Sequence, residues 1–497
     1  MLENTEISQI TQRMWVLYQQ ELPKFDNLHA YLHGKRGYPT IPTDAEPEIR
    51  ELARMSIKNC LSLIRDSFAQ NLSVVGFQRA TSSQNLPAWD MWQRNRMDAR
   101  QAEIYRSTIG YGLGYVAATP SKDGPVFRCR SPRQMIAVYA DPAIDQWPQY
   151  ALEVWIDETD AEPRRKGLFF DETYVYPLDL GSVAVVRWSE EQPLSSLPVI
   201  PDGFGTPLRH GASVCPVVRY VNNRDADDLI VGEIEPLIDL QRAINSVNFD
   251  RMIISRFGAF PQKVISGWSG TRSEVLAASA RRVWTFDDEN VKAQTFSPAN
   301  PDGYNNMLTE MLEHLAMVAQ ISPAQVTGKL INVSAEALAA GEAQQQRKLN
   351  AMRESLGESH EQLLRLGAEM IGDTATAKDT EAEVVWADTE ARAFAAVVDG
   401  IAKLAGAGIP IEALLTMIPG MTQQKVVGIQ AALRSAKVTS LTEALRARQQ
   451  PPPIPGQTGP QTGPQTGPQT GPQTGPQGPQ NVPQPPNGQP VPHALTG

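Results

Sequence analysis

Residues 302–321 read DGYNNMLTEMLEHLAMVAQI, 322–333 read SPAQVTGKLINV, and 334–370 read SAEALAAGEAQQQRKLNAMRESLGESHEQLLRLGAEM. The outer two segments have helical patterning, and Pro323 and Gly328 break the stretch between them. Ser334 followed by Glu336 supplies an N-cap and a first-turn acid for the second helix. At a rise of 1.5 Å per residue that helix would be roughly 55 Å long. Leu349, Met352, Leu356, Leu363, Leu366 and Met370 recur at helical spacing, so one stripe along it is buried. The pattern describes a long strut with a polar loop at its tip.

Outward from this stretch, another helical run opens at about Ile230 as IVGEIEPLIDLQRAINSVNFDRMIISRFGAF. Ile234, Leu237, Ile238, Ile244, Val247, Ile253, Ile254 and Phe257 form its apolar face. Pro261 to Pro301 is turn-rich and strand-like, including Arg282–Phe286. The frame is therefore helix, small α/β insertion, helix, loop, long helix. The first 228 residues mix α and β. Helical patterns cover about 5–20, 44–70 and 87–108. Strand-like runs follow at Tyr115–Thr119, Gln134–Ala140, Tyr150–Ile156, Leu168–Tyr176, Val183–Trp188 and Val214–Tyr220. After Gly372, Ala382–Ala387 reads as an isolated strand and Thr389–Arg448 as small helices. From Pro451 onward there is no Lys, Arg, Asp or Glu, and Gln-Thr-Gly-Pro repeats five times between Gln457 and Pro476. That composition predicts a disordered, partly polyproline II tail.

The bulk numbers exclude several classes. No run of eighteen apolar residues exists, so no membrane span is expected, and the charged, amphipathic start does not read as a secretory signal. Cys60, Cys129 and Cys215 are odd in number and lack metal spacing, which fits synthesis in a reducing cytosol. The net charge of −10 is concentrated: Asp141–Glu191 holds twelve acids against Arg164, Arg165, Lys166 and Arg187. A tight DNA binder carries a basic field; here any contact with nucleic acid should be loose or local.

Motifs for chemistry fail on inspection. IGYGLGY (109–115) has Tyr115 where a dinucleotide fingerprint needs its third glycine, and helix precedes strand, the reverse of that motif. Thr327-Gly328-Lys329 echoes a phosphate-binding loop, but Pro323 and Leu330 occupy the required Gly and Ser/Thr positions. His29 and His33 lie one turn apart without a third ligand. Asp287, Asp288 and Glu289 could hold Mg²⁺ in a metal-dependent nucleic-acid-processing enzyme, although a solvated acidic turn is the stronger reading. Arg94, Arg96, Arg100 and Arg106, interleaved with Trp89, Trp92 and Tyr105, fit ion pairing better than DNA contact. No catalytic triad can be singled out, so no enzyme activity, metal or cofactor is expected.

The combination of WDMWQRNRMDARQ (89–101), YGLGYV (111–116), SPRQMIAVYADP (131–142), WPQYALEVW (147–155), GEIEPLIDLQRAINSVNFDRM (232–252), RFGAFPQK (256–263) and NVSAEALAAGEA (332–343) resembles the portal proteins of tailed bacteriophages, in particular those of long-tailed phages of actinobacteria. The resemblance covers roughly residues 10–390. It implies an α+β portal fold with wing, stem, clip and mostly helical crown. On this basis 1–228 and 334–392 are the wing, 229–257 and 302–322 the stem helices and 258–301 the clip. Residues 323–333 are then the tunnel loop, 393–448 the crown, and 449–497 the disordered tail. It also implies a homo-oligomeric ring, a 12-mer, at one capsid vertex of the virion, assembled in the host bacterial cytoplasm. Double-stranded DNA would enter and leave through its channel, contacted weakly by Gln325, Thr327, Lys329 and Asn332. Trp268, Arg282, Trp284, Asp287, Asp288 and Glu289 would dock the terminase large subunit and then the head–tail adaptor; major capsid and scaffolding proteins are further partners. The alternatives are the metal-dependent enzyme and a minor capsid or scaffold protein without a channel.

Overall fold

The computed structural model describes residues 1–79, 85–144, 146–159, 163–182, 203–258, 263–266, 292–295, 300–328, 335–387, 394–409, 414, 425 and 428–435. The Ala335–Met370 helix is present over its full expected length, and Leu349, Met352, Leu356, Leu363 and Leu366 are all buried. Met370 packs at the edge of the same core. The mixed α/β fold is dominated by helices, with small sheets inserted between them.

The N-terminal helix α1, Asn4–Leu32, is longer than its pattern predicts and contains Pro23. Proline in a helix interior removes one hydrogen bond and costs ~3 kcal/mol. The helix continues because apolar residues are buried on both sides of the proline, Tyr18 and Leu22 before it, Phe25 and Leu28 after it. The two halves serve different cores. Ile7, Met14, Trp15, Tyr18 and Leu22 pack against a six-stranded sheet through Leu152, Phe169, Tyr176 and Leu178. Phe25, Leu28, Tyr31 and Leu32 belong to the larger core that also holds Leu349 and Leu363.

The helix expected over 44–70 is two: α2, Pro47–Met55, and α3, Cys60–Ala69. The 87–108 pattern likewise splits into α4, Trp89–Arg94, and α5, Met97–Tyr111, with Arg96 left-handed at φ 54°. Asn95 makes that break: its Oδ1 accepts from Phe127 N at 2.8 Å and its Nδ2 donates to the Pro125 carbonyl at 3.0 Å. Gly112 closes α5 at φ +85°, and a Cβ there would stand 2.8 Å from the backbone nitrogen of Gly232. The glycine cluster is thus a helix end against which the chain entering the next long helix is pressed: Glu233 N donates to the Ile109 carbonyl at 2.8 Å.

The strands form separate sheets. The pair β1, Val74–Arg79, and β13, Ala382–Trp386, joins distant parts of the chain, Phe77 lying opposite Val384. Strands β2, Leu113–Thr119, β3, Val126–Arg130, and β10, Val217–Val221, make a three-stranded sheet in the order β10-β2-β3. The six-stranded sheet contains β4, Met135–Val138, β5, Tyr150–Asp157, β6, Arg164–Phe170, and β7, Tyr174–Ser182, in a meander that ends on β8, Gly203–Phe204, with β9, Leu208–Arg209, also on β7. The single run expected over 168–176 is the turn of a hairpin, Phe170 pairing Val175. Strands 74–79 and 126–130 carry too little alternation to be read in advance; Val183–Trp188 lies outside the described residues. Glu153 on β5 is 0% exposed and joins the two larger sheets, accepting from Arg128 Nη2 at 2.6 Å and from Arg130.

Candidate channel and docking surfaces

The long frame is built from α6, Ile238–Gly258, and α7, Asp302–Ala319. Between them Lys263–Ser266 (β11) and Lys292–Thr295 (β12) pair antiparallel, Val264 opposite Gln294. α6 packs by its apolar stripe through Ile244 and Val247. It is anchored by a second stripe that the hydrophobic pattern does not reveal. Gln241, Asn245 and Asn248, one or two turns apart, are 3%, 0% and 6% exposed. They bond the main chain between α2 and α3: Gln241 Nε2 donates to Lys58 O at 2.6 Å, Asn245 Oδ1 accepts from Lys58 N at 3.0 Å, and Asn248 Nδ2 donates to Ser56 O at 2.6 Å. Those bonds explain why the helix expected through 56–59 opens there, since its backbone groups are satisfied from outside.

After α7 the chain reverses. Gln320 is left-handed at φ 61°, and where a loop was expected Pro323–Thr327 forms a short helix, α8, with Pro at its first position and Gly328 at φ +69° closing it. The long helix α9, Ala335–Met370, then runs back. Lys348 on α9 ties the frame together. Its Nζ pairs with Glu233 at the entry to α6 and donates to the last helical carbonyl of α7, Ala319, at 3.3 Å. A cation at a helix C-terminus is favourably placed against the helix dipole. The outward face of α7 carries Met307, Met317 and Val318, at 47%, 62% and 50% exposure, beside exposed Glu310, Glu313 and His314.

Groups that could do chemistry are engaged in structure. On the buried face of α9, His360 is 0% exposed between two tyrosines. Tyr105 Oη donates to Gln101 Oε1 at 2.9 Å, so it accepts from His360 Nε2, also at 2.9 Å; Nδ1 then accepts from Tyr220 Oη at 3.0 Å. Burial holds the imidazole neutral, its pKa down to about 3, and pushes both phenols well above their ordinary range. All three side chains are 0% exposed, and the triad fixes side chains in the core. His29 Nδ1 lies 2.8 Å from Tyr111 Oη, and burial lowers its pKa to about 3. Arg106 pairs with Asp66 at 3.2 Å and Arg100 with Glu103 at 3.6 Å; Arg94 binds the Asp123 carbonyl. Among the described residues no three His, Cys, Asp or Glu gather to hold a metal, and no helix is long and apolar enough to cross a membrane.

The family model of phage portal proteins of the SPP1 Gp6-like type matches residues 13–439. The chain belongs to this portal family. The portal protein of Mycobacterium phage D29 is 26% identical over 360 residues, which is 69% of this chain and 71% of that protein. The portal protein of Mycobacterium phage L5 is 24% identical over 366 residues, with the same shares. A chain in the virion of a native gene transfer agent particle superposes with a TM-score of 0.43 at 12% identity, covering 77% of this chain and 96% of that one.

Of the portal residues expected at the channel, Gln325 and Thr327 lie on α8. Gln325 Nε2 donates to Gln345 Oε1 of α9 at 2.9 Å, and Thr327 Oγ1 donates to the Pro323 carbonyl at 2.9 Å. Lys329 and Asn332 lie outside the described residues, as do Trp268, Arg282, Trp284, Asp287, Asp288 and Glu289. What sequence reasoning missed is the amide stripe of α6 and the triad at His360. The hydrophobic pattern does not score amides, and the triad joins residues of α5, β10 and α9 that are far apart in the sequence.

Proposed function

We propose that this phage portal protein is a structural, non-enzymatic subunit of a closed twelve-fold ring at one capsid vertex, through which double-stranded DNA enters during packaging and leaves during ejection. The match of the portal family model across residues 13–439 carries this reading. In it α6 and α7 form the stem, the β11–β12 pair belongs to a clip that docks the terminase large subunit and then the head–tail adaptor, and the chain from α8 to Val333 faces the channel. The wing is 1–228 with 334–392, the crown 393–448.

The physics of a conduit agrees with the composition. Rotational symmetry repeats each side chain twelve times around the axis, so a single Lys329 per subunit would act as a ring of positive charge near the phosphates. Gln325, Thr327 and Asn332 would add sequence-blind polar contacts. Each phosphate paired with Lys or Arg adds affinity, and a net charge of −10 keeps that affinity low enough for passage. Light scattering with negative-stain imaging of the purified protein tests the proposal. The expected particle is a ring of about twelve 54.5 kDa subunits, with an opening wide enough for a duplex of roughly 20 Å. A discrete monomer or dimer under assembly conditions would remove the channel and with it the proposal.

A further inference from the structure

An open groove of ≈ 1090 Å³ runs between α9 and β13. Three properties of its walls bear on what it holds. The first is charge. Glu354, Glu358, Glu361 and Glu369 of α9 and Glu383 of β13 line it, against Arg353 and Arg365. Glu361 is spanned by Arg365 at 4.0 Å, and Glu369 accepts from Ser213 N at 3.0 Å. Glu354, Glu358 and Glu383 are exposed, and among the described residues none of the three has an ion-pair partner. Glu358 and Glu383 crowd Glu361, whose carboxyl is lifted to about 6, mainly by burial and further by these two neighbours. A cation in the groove would relieve that repulsion; a nucleic-acid phosphate would add to it.

The second property is the strand edge. β13 pairs with β1 on one side. Opposite partners in an antiparallel ladder point their main-chain groups the same way, both inward or both outward. Phe77 and Val74 of β1 turn outward, Phe77 N donating to Asn85 Oδ1 at 3.0 Å and Val74 N to Gln101 Oε1 at 2.8 Å. Their partners on β13, Val384 and Trp386, therefore direct main-chain groups away from β1, and Val384 N donates to Glu361 Oε1 at 3.2 Å. The outer edge of β1 is covered by its own neighbours, and on β13 Glu361 holds the Val384 N–H and Asp379 that of Ala382. Among the described residues the Trp386 main chain has no such partner, and it borders the groove. Unpaired main-chain groups at a strand edge recognise a peptide backbone. The third property is aromatic: Trp147 and Trp386, both half-buried, stand in the walls, and an indole is a favourable neighbour for a guanidinium or ammonium.

We infer that this groove docks an extended, Lys/Arg-bearing peptide segment of another protein, its backbone along β13 and its basic side chains on Glu354, Glu358 and Glu383. The chain's own segment from Pro451 onward has no Lys or Arg and lacks the complementary charge. The inference does not depend on ring formation, so the two can fail separately.

The test is fluorescence anisotropy of a labelled six-residue peptide of alternating Arg and Val, titrated with the full-length protein at low salt. Saturable binding is expected, weakened at least tenfold in Glu358→Lys/Glu383→Lys, with the corresponding Glu-Val peptide silent. The milder Glu354→Gln/Glu383→Gln should weaken binding at least threefold, which keeps the test open if charge reversal perturbs folding. A peptide N-methylated at alternate residues should bind at least fivefold more weakly. Absent binding, or binding indifferent to both double substitutions, overturns the inference, and equal affinity of the N-methylated peptide overturns the strand-edge geometry. Peptide binding that appears only when the purified oligomer is dissociated would assign the groove to a neighbouring copy and also overturn it.

Discussion

At the scale of single residues, the buried polar groups are more informative than the apolar ones. His360 was unremarkable in sequence, one of six histidines, yet it sits where α9, α5 and β10 meet, with a hydrogen bond at each ring nitrogen. Replacing it with Leu would strand the Tyr220 hydroxyl and leave the helix without its registering bond, at a cost of about 2–4 kcal/mol near pH 7.5. The pH dependence has a definite sign. The folded-state pKa of about 3 lies below the ordinary 6.5, so above pH 6.5 the imidazole is neutral in both states and its stabilisation is complete. As pH falls through that window the unfolded chain takes up a proton that the native state refuses, and stability drops by about 1.4 kcal/mol per pH unit. The gap between wild type and His360→Leu should therefore narrow by about 2 kcal/mol between pH 7.5 and pH 5 in denaturant titrations. A constant gap would mean the histidine is not held neutral.

At the scale of elements, the long helices were legible because their apolar stripes run for many turns, and a periodic signal strengthens with length. Their attachments were not. The amides Gln241, Asn245 and Asn248 hold α6 to the turn between α2 and α3, and each replaces a bond that a continuous helix would have made for itself. Asn245 accepts from Lys58 N and Gln241 Nε2 and donates to the Gly37 carbonyl at 3.0 Å. Asn245→Leu keeps the helix propensity but leaves those groups unpaired in a buried site, so a loss of about 3 kcal/mol is expected in urea unfolding. A change below about 0.5 kcal/mol, the scale of an ordinary surface substitution, would show that water replaces the amide without loss. Related reasoning covers the split helices: at 56–59 side chains from α6 satisfy the backbone, and at 95–96 the Asn95 side chain bonds the main chain at Pro125 and Phe127.

At the scale of the whole molecule, the family match ends at residue 439 and the larger of two contact-defined units spans Met1–Ala432. The segment from Pro451 has neither charge nor enough apolar side chains to build a core. Deleting 449–497 should leave the thermal midpoint within about 1 °C of the full chain and reduce the particle mass in proportion without changing subunit number. A midpoint lowered by several degrees would show that the tail packs against the body.

The order of helices, the insertion between them, the long strut and the charge-free end follow from sequence alone, because periodicity, glycine and proline placement, and composition act locally. So does the resemblance to portals, since the short motifs that carry it are contiguous. The tertiary structure decided what local signals do not encode: which strands pair across three hundred residues, as Arg79 does with Ala382, why α1 runs through Pro23, and which isolated polar residues are buried. It also brought Glu383 of β13 beside Glu358 and Glu361 of α9. Non-local pairing, burial and electrostatic crowding are properties of distance in space, and a chain acquires those distances only when it folds.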